Sequence, residues 1–166
     1  MGLLQSHGRG GGAGGIARLS PVRAARRIII HSLADARAAL AAAQELRVPV
    51  VLASAVGAGG YAGAMWFNAV IEAARADFPT VPVAAILDCA GEAGTVLNAL
   101  RHGLKRVRFS GGGAALKRLR DIAGQLDAEI ETGKPPPALD LLHESDPDAA
   151  CRRYLRQRTR HRGAKA

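Results

Sequence analysis

Short apolar runs alternate with longer stretches of helical period along this chain, the pattern of parallel strands joined by crossover helices. Arg27-Ile28-Ile29-Ile30 predicts a first strand. Ser32 then caps a helix over about 33–46, on which Leu33, Ala36, Leu40 and Ala43 share one stripe. Val48 to Ser54 predicts the second strand, followed by the loop Gly57-Ala58-Gly59-Gly60 and a helix over about 62–77, with Trp66 and Phe67 turned to the core. Val81 to Leu87 predicts a third strand ending at Asp88 and Cys89, then a helix over about 92–102. Arg106 to Phe109 is the fourth, opening into Ser110-Gly111-Gly112-Gly113 before a helix over about 114–125. Ala128 to Glu131 is a short fifth, after which Gly133-Lys134-Pro135-Pro136-Pro137 is expected to stop regular structure.

Five strand–helix steps predict an α/β fold with about five parallel strands, either a partial TIM-barrel-like sheet or a flat doubly wound sheet. A complete eight-unit barrel needs about 250 residues, more than the 166 present. In either geometry, ligands meet the carboxyl ends of the strands. That places Ser54, Gly57, Gly59, Gly60, Asp88, Cys89, Ser110, Gly111, Gly112, Gly113, Glu129 and Glu131 under scrutiny by position alone.

The formal net charge of +9 suggests a polyanion partner until the charge is located. Residues 1–27 carry five Arg and no acid, and residues 152–166 carry seven Lys and Arg and no acid. Residues 28–151 hold eleven basic and fourteen acidic side chains, a balance of −3. The expected organisation is therefore a Gly/Arg-rich leader over 1–25, a mildly acidic domain over 26–151 and a basic tail over 152–166, with a helical turn or two entering the tail from residue 147. The tails alone offer a route to RNA or an acidic protein. Two cysteines without C-x-x-C spacing, no export signal and no apolar run of membrane-spanning length predict a cytoplasmic protein without a membrane partner.

The order of segments resembles the class II, zinc-dependent ketose-bisphosphate and fructose-bisphosphate aldolases. Ser32 to Asp88 is similar to their first three units, including a Gly-Ala-x-x-Tyr-x-Gly segment and a Val-Pro-Val-rich third strand. Ala99 to Gly111 resembles the following helix and fourth strand, Glu129-Ile130-Glu131-Thr132-Gly133 the fifth, and Ser145 to Ala150 a Thr-Asp-Pro-Glu-Glu-Ala helix start. The resemblance implies that Asp88 stands where the family keeps its proton-transfer acid. It also implies that Cys89 stands where the family keeps a zinc-binding His, Ile29 at a family Asn and Ser110 at a family Asp. The two further His ligands come from later strands than those found here.

A catalytic zinc takes three protein ligands and an open position. Cys89, Glu129 and Glu131 are the strand-end candidates, with His31 a distant fourth; His7, His102 and His143 fall on other segments. The leading expectation is a degenerate aldolase-like domain without independent aldolase activity, binding a small phosphorylated or anionic ligand and self-associating. A metal-dependent lyase completed by oligomerisation and a scaffold acting through its tails are the competing expectations. Asp88 reads equally as a cap, Cys89 as a buried hydrophobe, and Glu129 with Glu131 as the solvated face of an edge strand.

Overall fold

The computed structural model describes Val22 and residues 25–157. The expected leader, apart from Val22 and Ala25, and residues 158–166 of the expected tail lie outside them. Strands β1 (Arg26–Ile30), β2 (Val50–Ser54), β3 (Val83–Asp88), β4 (Arg106–Arg108), β5 (Glu129–Glu131) and β6 (Ala138–Asp140) form one sheet in the order β5-β4-β3-β2-β1-β6. Every pairing is parallel. The helices are α1 (Leu33–Leu46), α2 (Ala58–Tyr61), α3 (Ala64–Asp77), α4 (Ala93–Arg101), α5 (Gly113–Gln125) and α6 (Pro147–Arg156).

Local chemistry accounts for the helix boundaries. Ser32 Oγ accepts from the Asp35 amide at 3.1 Å, and Asp35 Oδ2 accepts from the His31 amide at 2.8 Å. Two orphan donors at the start of α1 are thereby satisfied reciprocally. Arg47 ends that helix in the left-handed region, and Asp146 caps α6 by accepting from the Ala149 amide at 2.9 Å.

Of the two predicted sheet geometries, the side chains favour the curled one. In a flat sheet of this order β1 and β5 would lie four strand spacings apart, roughly 19 Å. Instead Arg27 of β1 donates to Glu131 of β5 at 2.8 and 2.6 Å. Asp88, Arg108 and Glu131 are register neighbours, whereas Arg27 aligns through Val51 with Ala84, four residues earlier on β3. The contact thus joins staggered rows, as barrel closure requires. The helices agree, since α6 packs on α1, α1 on α3, α3 on α4 and α4 on α5, forming one outer layer.

Strand alternation then separates two environments. Ile28, Ile30, Leu52, Leu87, Val107 and Ile130 point outward into the apolar layer shared with the helices. Their neighbours Arg27, Asp88, Arg106, Arg108, Glu129 and Glu131 point inward.

Several expectations are corrected. The described residues hold six strands where about five were expected: regular structure resumes after the Pro135–Pro137 run, and β6 pairs with β1. The loop expected at 57–60 is largely a short helix, α2, and the helix expected over 62–77 starts at Ala64, after its N-cap Gly63. The helix expected to enter the tail from residue 147 runs from Pro147 to Arg156, with Leu155 buried. Phe67 is fully buried as expected, but Trp66 is 37% exposed.

Candidate functional site at the carboxyl ends of the strands

Asp88 ties two strand-end loops to the end of β4. Its Oδ1 accepts from the Gly57 amide at 2.9 Å and from the Ala90 amide at 2.8 Å, and its Oδ2 lies 3.3 Å from Arg108 Nε. Ser54 supports it from β2: its Oγ accepts from the Asp88 amide at 2.9 Å and donates to the Ala55 carbonyl at 3.0 Å. Gly57 holds a φ of 72°, which frees its amide to face the carboxylate. Asp88 is not the N-cap of the next helix, which starts after Glu92. It satisfies loop amides instead.

Arg108 links Asp88 to the far side of the ring. Its Nη1 donates to Glu131 Oε1 at 3.2 Å and its Nη2 to the Gly133 carbonyl, while Arg27 grips Glu131 from across the interior. Hydrogen bonds from Arg27, against a burial cost, and then from Arg108 hold the Glu131 carboxyl below its ordinary range. Below this row, Arg106 stands 3.5 Å from Glu129. The expectation that Glu129 and Glu131 form a solvated edge face is therefore overturned for Glu131, whose side chain is 18% exposed and paired with arginines.

The trio Cys89, Glu129 and Glu131 is not brought together. Side chains alternate along β3, so while Asp88 faces inward Cys89 enters the outer apolar layer, where burial, and then the nearby Asp88 charge, pushes its thiol up to about 12. A thiol so raised is a poor source of the thiolate that zinc requires. Glu131 is committed to three guanidinium groups, those of Arg27, Arg106 and Arg108. The residues present do not fit the family's zinc. Among the described residues, no three His, Cys, Asp or Glu side chains are grouped to hold a metal.

The two glycine segments divide in role. Gly59 lets α2 approach β3: a Cβ there would stand 2.8 Å from Thr95 Cγ2 and 3.1 Å from both Asp88 O and Cys89 Sγ. Gly60 is open and exposed. By contrast Ser110, Gly112 and Gly113 are exposed where β4 meets α5, a helix whose N-cap, Gly112, supplies no side-chain hydrogen bond. The Ser110 amide donates to Ala90 O at 2.8 Å, holding this loop against the one after Asp88, and Gly111 lies under the Phe109 ring. Ser54, Gly57, Asp88, Ser110 and Glu131 are thus linked at the carboxyl ends of the strands, and Glu129 lies at the start of β5, toward the other end of the barrel.

Sequence reasoning missed Arg27, Arg108 and the pair of His31 Nε2 with Asp140 Oδ1, 2.7 Å apart at the ends of β1 and β6. Burial raises the Asp140 carboxyl, but the Leu142 amide and His31 more than offset it and leave it lowered. A signal did exist for the interior. Arg106-Val107-Arg108 and Glu129-Ile130-Glu131 carry opposite charges on the same alternation, as paired strands facing a shared interior require.

No helix among the described residues is long and apolar enough to cross a membrane. The family model described as fructose-bisphosphate aldolase class-II matches residues 22–117. No curated protein matches the chain.

Proposed function

From the premise that this chain belongs to the class II fructose-bisphosphate aldolase family, we propose that it is a family domain that binds a small phosphorylated or carboxylated ligand at its mouth and has no independent aldolase activity. The observation that carries the reading is the structural commitment of Asp88: Oδ1 accepts from two backbone amides and Oδ2 is ion-paired with Arg108, so the carboxylate is engaged in holding the strand-end loops. Beside it, the first amides of the 13-residue α5 lack an intrahelical acceptor, and the helix dipole and the exposed Ser110 favour an anion there.

The experiment is a titration of the full chain with inorganic phosphate, followed through the amide resonances of Gly111 to Ala115. Saturable shifts confined to this loop support the reading, and their absence removes it. A parallel assay of ketose-bisphosphate cleavage with added zinc is expected to show no turnover; zinc-dependent turnover would favour the lyase alternative.

We further propose that the chain self-associates through the surface formed by the loop after β2, α2 and the start of α3. Val56, Tyr61 and Met65 are 78%, 73% and 69% exposed, and no charged residue lies between Arg47 and Glu72. A two-fold interface sets a patch against its own copy, so an uncharged patch incurs no like-charge repulsion. Sedimentation of Met65→Glu is expected to show a shift toward monomer, and an unchanged species would count against this surface.

A further inference from the structure

At the opposite end of the barrel the wall is split. β3 pairs with β2 from Val83 to Ile86 but with β4 only at Leu87 and Asp88. Since Leu87 turns its backbone groups to β4, the alternation of a parallel ladder turns those of Val83 and Ala85 the same way, into a gap. Val83, Ala84 and Ala85 are accordingly only half-buried, whereas residues 86–88 are buried.

This gap is a cleft of about 360 Å³ between the foot of β3, α3 and the starts of β4 and β5. That volume lies within the range of small-molecule sites. Ile71 and Leu104, both buried, give it an apolar wall. The charged groups around it cancel in pairs, with one of each sign left over. Arg75 bonds Glu72 at 3.3 Å and the Val83 carbonyl at 3.1 Å, and Arg106 stands against Glu129. Lys105 Nζ donates only to the Leu126 carbonyl, at 2.7 Å, and Asp127 has no ion pair among the described residues. The small side chains of Ala84 and Ala85 leave the space beneath these groups open.

We propose that this slot binds a small zwitterion, an α-amino acid with an aliphatic side chain. Its carboxylate meets Lys105 and a β3 amide, its ammonium meets Asp127 and a β3 carbonyl, and its side chain lies on Ile71 and Leu104. The site is at the other end of the barrel from the anion-binding mouth and stands or falls apart from it.

The probe is L-leucine, titrated into the full chain and followed by calorimetry and by the amide resonances of Val83 to Ala85 and Lys105. Saturable binding is expected, together with loss of binding for 4-methylpentanoate, which lacks the ammonium, and for 3-methylbutylamine, which lacks the carboxylate. The exposed Lys105→Gln variant is expected to weaken leucine binding about tenfold without change in circular dichroism. Absence of saturable binding, equal binding of either truncated analogue, or full affinity in Lys105→Gln would each overturn the proposal.

Discussion

Glu131 concentrates more of the interior electrostatics than any other side chain, because guanidinium groups from β1 and β4 meet on it. Its lowered carboxyl makes a stabilising contribution that is complete above the unfolded value near 4.3 and is lost as pH falls through the folded value. Thermal melts of the wild type should therefore drop as pH falls below about 5, and Glu131→Gln should flatten that dependence. At neutral pH the same variant leaves Arg27 without its carboxylate and should cost about 3 kcal/mol in denaturant unfolding. Gly59→Ala places a methyl against Thr95, Asp88 O and Cys89, and is expected to cost about 1–3 kcal/mol by the same measurement. Burial puts the thiols of Cys89 and Cys151 at about 12, so a thiol reagent at pH 8 should label both only as fast as the chain unfolds. At this scale the sequence showed Asp88 at a strand end and Cys89 as a small apolar filler. It could not show which oxygen meets which amide, since Gly57 and Arg108 reach Asp88 through the fold.

Among the elements, β6 and α6 carry a weight that their sequence understates. β6 is three residues long and follows a triple proline, yet it covers the edge of β1 that β2 leaves open. Helix α6 then packs on α1, burying Cys151 and Leu155. Arg26 adds a tether, donating to Tyr154 O at 2.8 Å with its guanidinium 4.6 Å from the Tyr154 ring centroid. Removing residues 138–157 should expose both the β1 edge and the α1 face, and the truncated chain is expected to aggregate rather than melt cooperatively, as size-exclusion chromatography and calorimetry would show. The strands and helices from β1 to α5 were legible because each is long enough to show a period, or follows an apolar run and a glycine turn. Of the pair at the end, β6 was not, because it follows a triple proline and has no apolar run, and α6 was legible at its start near residue 147 but not in its length, because its arginines make its apolar stripe, Ala150, Cys151 and Leu155, resemble a solvated tail.

For the whole molecule, the sequence set the alternation of strands and helices and left open whether the sheet stayed flat. The choice lies in side chains 104 residues apart in the chain, Arg27 and Glu131, and no local pattern links them. The same separation bears on how the protein is made. At roughly 5–20 residues per second, 104 residues take about 5–20 s to synthesise. For that interval β1 to β4 stand as an unclosed sheet on the ribosome. The face that will become the lumen then carries Arg27, Asp88, Arg106 and Arg108 among Val51, Ala53 and Ile86, so that charged groups interrupt the apolar interior usual in such barrels. A nascent sheet whose concave side is broken up by charges offers neighbouring chains less to adhere to, so the charged lumen guards the unfinished protein before it has any ligand to meet.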